Sequence, residues 1–111
     1  MKRGDIYFAN LDPTQGSEIK KIRPVLVVSN DANNKAAHTV TVLPITSNAE
    51  KVFPFEVLLK ASQSNLPKDS KILAQQIRTI DKSRLSVKCL GHLSSEVLKK
   101  VEQAMKLHLG M

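Results

Sequence analysis

Short runs of apolar and β-branched residues alternate with polar segments over most of the chain, a pattern typical of short strands joined by turns and loops. The run from Pro24 to Val28 is almost continuously apolar, which indicates a strand buried on both faces. Residues 12–22 are polar and are predicted to form a long loop, and residues 29–37 break the strand pattern. Strands are predicted over residues 5–11, 24–28, 39–45, 53–59, 70–79 and 85–93.

The C-terminal segment has a different period. Its apolar residues recur every three to four positions, as they do on one face of a helix, at Val97, Val101 and Met105. Ser94 precedes them and is a preferred N-cap residue, whereas Gly110 follows them and is a typical helix stop. The pattern therefore predicts one amphipathic helix over residues 94–109.

This order of elements predicts a mainly β domain with a C-terminal helix, curled into a small antiparallel barrel or sandwich. The 111 residues are enough for one domain, residues 1–111. No apolar run approaches the ~20 residues of a membrane span, and no signal peptide is apparent. The lone Cys89 excludes an internal disulfide, and we expect it to pack in the core. We expect a cytoplasmic protein, because the cytoplasm keeps thiols reduced.

Charge adds a functional hint. Lys and Arg number 17 against 10 Asp and Glu, which gives a net charge of +7. Small basic domains often bind nucleic acids, because contacts to phosphates supply affinity that does not depend on sequence. The same charge would also suit an acidic protein partner, or would serve solubility alone.

The chain lacks the motifs of cofactor and metal chemistry. Its four glycines are isolated and its three histidines lie far apart, so neither a phosphate-binding loop nor a metal site is expected. Three polar segments at predicted strand ends remain as candidates: Arg23-Pro24, Thr46-Ser47-Asn48 and Gln75-Gln76-Ile77-Arg78-Thr79. Arginine suits phosphate because it is always charged and offers a planar fork of donors. Each segment also has a structural interpretation, as a surface charge, a turn cap or a polar sheet face.

Six segments follow one another in a distinctive order: Arg3-Gly4-Asp5-Ile6-Tyr7, Leu11 to Glu18, Lys21 to Asn30, Pro44-Ile45-Thr46-Ser47, Leu66 to Ser70 with Gln75 to Asp81, and Gly91-His92-Leu93. In order and spacing they resemble the MazF/PemK (Kid-like) toxins of bacterial type II toxin–antitoxin modules, over nearly the whole chain. The resemblance implies an SH3-like antiparallel barrel of the CcdB/PemK type that acts as a homodimer. It also implies a metal-independent, sequence-specific endoribonuclease that cleaves single-stranded mRNA.

The resemblance assigns roles to individual residues. Arg23 matches the family's catalytic arginine and Thr46 matches its partner hydroxyl. In such cleavage the ribose 2′-hydroxyl attacks the neighbouring phosphorus and leaves 2′,3′-cyclic phosphate and 5′-hydroxyl ends. Arg23 suits electrostatic stabilisation rather than general base catalysis, because an arginine side chain stays protonated. Loop 12–22 resembles a flap over the RNA groove. The remaining candidates for RNA binding are Ser17, Glu18, Asn30, Ser47, Gln76 and Arg78.

One branch of the family carries an arginine and an aspartate at the positions of Leu73 and Gln75, so its acid–base scheme does not transfer to this chain. The expected partners are single-stranded RNA and an acidic, MazE-like antitoxin whose disordered tail folds into the same groove. No cofactor is expected. Two alternatives stay open, a non-catalytic nucleic-acid-binding barrel and a gyrase-poisoning toxin of related fold.

Overall fold

The computed structural model describes residues 1–111, all of the chain. Seven strands, three α-helices and two 3₁₀ turns, at 74–76 and 82–84, make up the fold. No helix combines the length and apolarity needed to cross a membrane. The strands and α-helices are β1 (Asp5–Asn10), β2 (Ile22–Val27), α1 (Asp31–Ala36), β3 (Thr39–Thr46), β4 (Glu56–Leu59), α2 (Ala61–Ser64), β5 (Ser70–Leu73), β6 (Arg78–Asp81), β7 (Gly91–His92) and α3 (Ser95–Leu109).

Strand β3 organises the sheet. All strand pairs are antiparallel, in the order β4-β5-β3-β2-β1-β7, and β6 also pairs with β3. The first half of β3 pairs with β6, whereas its last two residues, Ile45 and Thr46, pair with β5. Because one edge of β3 serves two strands in turn, the sheet curls into a half-barrel. The predicted mainly β fold with a C-terminal helix is confirmed.

Apolar residues lie on both faces of this curled sheet. In β2, Val25 and Val27 belong to one buried cluster, while Leu26 belongs to a second cluster that α3 covers. The prediction that this apolar run is a strand buried on both faces is therefore confirmed. The apolar stripe of α3 lies against the sheet through Val97 and Val101, which are almost fully buried.

The predicted strand over 70–79 is in fact two strands. A 3₁₀ turn at Ala74–Gln76 separates β5 from β6. β5 pairs with the end of β3 and β6 pairs with its beginning, so the chain must turn between them. The side chains of Gln75 and Gln76 stabilise this turn through hydrogen bonds to Glu56 and to loop 12–22.

The predicted strand over 85–93 is largely wrong. Only the two residues of β7 and a single bridge between Ala9 and Leu85 are paired. Val87 is fully exposed and Cys89 is exposed, so the expectation of a core cysteine is also wrong. The thiol of Cys89 instead lies 3.1 Å from the carbonyl of Gly91. The segment does run along β1, because Ser86 N donates to the carbonyl of Phe8 and Leu90 N to that of Ile6, each at 2.7 Å. Residues 87–89, between these two contacts, make no such bond and bulge out of the ladder.

Two other boundaries differ from the prediction. Residues 29–37 contain the short helix α1, which begins after its N-cap Asn30. The strand expected from Phe53 begins only at Glu56, since Phe53 and Phe55 stack on one another in the preceding turn, with ring centroids 5.5 Å apart.

The caps of α3 permit a direct test. Ser94 Oγ accepts a hydrogen bond from Val97 N at 3.3 Å, and Gly110 ends the helix in the left-handed conformation, at φ 72°. We expect Ser94→Ala to lower the free energy of unfolding by about 1 kcal/mol, because it leaves an amide without its acceptor. Urea unfolding measures the change. Ser95→Ala, one residue later and also exposed, is the matched control, and equal losses from both variants would contradict the capping role.

Candidate functional site

The ends of β2 and β3 bring Arg23 and Thr46 together. Val25 pairs with Pro44 in the antiparallel register of these strands. Continuing that register by two residues places Arg23 opposite Thr46. Both side chains then lie on the same face of the sheet, because side chains alternate between faces along a strand. Two residues that are 23 positions apart in sequence thus become neighbours at the rim of the half-barrel.

Both side chains keep hydrogen-bond donors free. Arg23 Nε donates to the carbonyl of Lys20 at 3.1 Å, which orients the guanidinium, and its two terminal nitrogens have no partner within the chain. Thr46 Oγ1 accepts from Asn48 N at 3.3 Å, so its hydroxyl proton stays available. A guanidinium group and a hydroxyl donor that lie side by side can bind the oxygens of an anion such as phosphate.

Loop 12–22 is held against the sheet by residues that follow β5. Gln76 Oε1 accepts from Ile19 N at 2.6 Å, and Arg78 Nη1 donates to the carbonyl of Leu11 at 2.8 Å. Both groups therefore stabilise the loop in this structure, a role that the sequence pattern did not indicate. The role in RNA binding predicted for Gln76 and Arg78 requires that these contacts be exchanged.

Two adjoining clefts lie beneath this loop. They measure about 380 Å³ and 280 Å³ and share the residues Ser17, Ile19, Gln75 and Gln76. Glu18 and Arg78 line the first cleft, and Thr46 lines the second. Five of the predicted residues are thus brought to one groove: Ser17, Glu18, Thr46, Gln76 and Arg78.

A third cleft lies on the other side of the strand ends. It measures about 300 Å³, and its lining includes Arg23 and Ser47. Arg23 and Thr46 therefore border different clefts at one rim. This arrangement allows a long, flexible ligand to pass over the rim from one cleft to the other.

Asn30 is the predicted site residue that the fold does not bring to these clefts. Its side chain accepts from Asn33 N at 2.8 Å and caps α1, at the end of β2 opposite to Arg23. The extended chain between Arg23 and Asn30 spans roughly 20 Å. Asn30 has a local structural role, and it lines none of the three clefts.

A buried ion pair next to Thr46 was missed at the sequence level. Lys71 is directly opposite Thr46 in the ladder between β3 and β5. Its ammonium group lies 2.9 Å from Glu56 Oε1, and Gln75 Nε2 donates to Glu56 Oε2 at 2.6 Å. Glu56 is 7% exposed. Burial alone would raise the pKa of Glu56, but hydrogen bonds from Phe53 N, Lys71 and Gln75 outweigh it and hold the pKa below its ordinary value.

Nothing in the sequence pattern marks this pair. Glu56 and Lys71 are 15 residues apart and meet only because β4 and β5 are antiparallel neighbours. Lys71 Nζ also donates to the carbonyl of Lys51 at 2.6 Å, so the pair joins the segment before β4 to the strand that flanks Thr46. No group of three or more His, Cys, Asp or Glu side chains is placed to hold a metal ion.

Comparison with known proteins gives consistent results over the full chain. The family model of the PemK-like, MazF-like toxins of type II toxin–antitoxin systems matches residues 2–109. A curated relative from Staphylococcus saprophyticus, named endoribonuclease MazF, is 46% identical over 112 residues, which cover 100% of this chain and 92% of the relative.

Two solved structures from Deinococcus radiodurans share the fold. The crystal structure of MazF superposes with a TM-score of 0.84 at 31% identity, covering 100% of this chain and 97% of that chain. A crystal structure of the MazE–MazF complex superposes with a TM-score of 0.79, also at 31% identity and with the same coverage.

Proposed function

The chain belongs to the PemK-like, MazF-like toxins of type II toxin–antitoxin systems, and we infer from this membership that it is an endoribonuclease toxin. The observation that carries the assignment of its active site is the pairing of Val25 with Pro44, whose register, continued by two residues, sets Arg23 opposite Thr46. Each of these two side chains has a free donor. We propose that these two residues are catalytic, that the substrate is single-stranded RNA, and that the toxin acts as a homodimer in the cytoplasm.

The proposed reaction needs only groups of the chain and the RNA, with water as the carrier of protons. A ribose 2′-hydroxyl attacks the adjacent phosphorus in line with the leaving 5′-oxygen, and negative charge builds on the non-bridging oxygens. The guanidinium of Arg23 and the hydroxyl of Thr46 donate to these oxygens, and their hydrogen bonds strengthen as the charge develops. As the P–O2′ bond forms, the 2′-hydroxyl gives up its proton to water. The P–O5′ bond breaks, the 5′-oxygen takes up a proton from water, and the products are a 2′,3′-cyclic phosphate and a 5′-hydroxyl.

The groove beneath loop 12–22 suits the bases of a single strand. Single-stranded RNA is selected through splayed bases whose edges are open to hydrogen bonding. Ser17, Glu18, Gln76 and Arg78 offer such groups there, and Ser47 lies beyond the rim. RNA entry would exchange the bond between Gln76 and Ile19 for contacts to a base. Asn30 is not part of this proposed groove.

The second proposed partner is a MazE-like antitoxin. The related toxin from Deinococcus radiodurans is seen in complex with MazE. An acidic, disordered antitoxin segment that folds into the groove would exclude RNA, because both ligands would occupy the same groove of a basic protein. The net charge of +7 favours both.

Cleavage of a long, mixed-sequence RNA in EDTA, with mapping of the new 5′ ends, tests the proposed activity. We expect discrete cuts at one short motif, with 2′,3′-cyclic phosphate ends. A matched substrate with 2′-deoxyribose at the cleaved nucleotide should stay intact, because it lacks the nucleophile. Cutting of that substrate would contradict 2′-hydroxyl attack. Intact RNA with folded, antitoxin-free protein would contradict the enzyme proposal and favour RNA binding alone or a protein target such as gyrase.

A further inference from the structure

The third cleft combines positive charge, hydroxyl groups and exposed apolar side chains at the rim next to the proposed catalytic pair. Its lining includes the cations Arg23 and Lys68, together with Ser47 and Ser70. None of its lining residues is acidic. An anion that enters this cleft therefore meets cations and hydroxyls without opposing charge.

Lys68 is not committed to another contact. It takes part in none of the three ion pairs of the structure, and its side chain makes no hydrogen bond within the chain. Its backbone carbonyl accepts from Ser70 Oγ at 3.1 Å, which fixes the turn that presents it. The other cation near the site, Lys71, already forms an ion pair with Glu56. Lys68 is thus the free ammonium group on this side of the rim.

Apolar side chains are exposed in the same cleft. Phe8 is 42% exposed and Ile22 is 66% exposed. Phe8 is directly opposite Pro24 in the ladder between β1 and β2, and Ile22 follows two residues along on the same face. An exposed aromatic ring beside free cations is the arrangement with which proteins bind single strands, since bases stack on the ring and phosphates meet the cations.

We propose that this cleft binds a nucleotide of the RNA strand adjacent to the cleaved bond. Its base stacks on Phe8 against Ile22, and its phosphate contacts Lys68 and the hydroxyl of Ser47. The proposal rests on the proposed ribonuclease function. The strand then runs from the groove beneath loop 12–22, across Arg23 and Thr46, into the third cleft. This subsite contributes affinity with little choice of base, because every base has a face that can stack.

Binding of a non-cleavable RNA tests the subsite. The probe is a short RNA that carries the motif cut by the wild type, with 2′-deoxyribose at the cleaved nucleotide. We expect Lys68→Gln to weaken binding several-fold and to reduce the slope of log Kd against log salt by about 0.7, the value for one phosphate contact of a single strand. Lys99→Gln removes an exposed lysine from the outer face of α3 and is the matched control.

The stacking contact is tested with altered RNAs. We expect Phe8→Leu to weaken binding about 5- to 100-fold, because the leucine keeps an apolar volume but offers no ring. Removal of single bases from the probe, one position at a time, should reveal one position next to the cut where the wild type loses affinity. The Phe8→Leu variant should lose no further affinity at that position. Circular dichroism establishes that each variant is folded.

The outcomes separate the subsite from the enzyme proposal. Failure of the wild type to cleave RNA contradicts the proposed function. Cleavage by the wild type, with Lys68→Gln and Phe8→Leu both behaving like Lys99→Gln, overturns the subsite alone. It is also overturned if these two variants change only self-association or binding of the antitoxin, because the cleft then holds a protein.

Discussion

Arg23→Ala is expected to lower the rate of RNA cleavage about 10²–10³-fold, while the RNA is still bound. The magnitude is that of removing one donor aimed at the charge of a transition state. The guanidinium is oriented by the carbonyl of Lys20, and its terminal nitrogens are free to meet the phosphoryl oxygens. Single-turnover cleavage with saturating enzyme, in EDTA, measures the change, because substrate binding then no longer limits the rate.

Two further variants make this result specific. Arg3→Ala removes an arginine that pairs with Glu102 on the surface, 3.1 Å away, and should retain the wild-type rate. Arg23→Lys keeps the charge but loses the planar fork, so it should recover only part of the rate. Equal rates for Arg23→Ala and the wild type would show that the active site lies elsewhere or that the activity belongs to a contaminant.

Local signals were sufficient for the elements that the sequence predicted well. The helix α3 is marked by a cap at each end and by the spacing of Val97 and Val101, all within one segment. The strand β2 is marked by its own apolar run. The order of these elements was enough to predict a mainly β domain with a C-terminal helix.

The remaining features depend on contacts between distant segments. Whether residues 85–93 form a strand depends on their register with β1, and residues 87–89 are left out of that pairing, between the contacts of Ser86 with Phe8 and of Leu90 with Ile6. The turn at Ala74–Gln76 exists because β3 offers two separate pairing sites. Hydrophobic periodicity carries no information about which segments lie side by side. This is the physical reason why the strands predicted over residues 85–93 and 70–79 were wrong.

In the candidate site, too, some features follow from local sequence and others depend on contacts between distant segments. Arg23 and Thr46 could be found through the resemblance of their segments to a family, and they lie near the beginning of β2 and at the end of β3, which are paired strands. The resemblance could not reveal that Gln76 and Arg78 are engaged in holding loop 12–22. It also could not reveal the pair of Glu56 and Lys71, since this pair depends on the register of β4 and β5.

That buried pair leads to the largest expected effect on stability. We expect Glu56→Gln to lower the free energy of unfolding by about 3–5 kcal/mol at neutral pH, because it leaves a buried ammonium without a counter-charge. The Lys71 side chain is only 13% exposed, so water replaces the lost carboxylate only in part. Urea unfolding at neutral pH measures the loss. Glu50→Gln changes an exposed glutamate in the same region and should leave stability nearly unchanged.

The effect of pH separates the lost charge from a mere packing defect. Because the pKa of Glu56 is lower in the folded protein than its ordinary value of 4.5, ionisation of Glu56 stabilises the fold above that pH. This stabilisation is lost as the pH falls through the lowered pKa, where the wild-type carboxylate takes up a proton. The difference between the wild type and Glu56→Gln should therefore shrink in acid. A second variant, Glu56→Leu with Lys71→Met, should recover most of the stability, because an apolar pair replaces both charges. A gap that stays constant from neutral to acidic pH, with no recovery in the double variant, would mean that shape and not charge makes Glu56 necessary.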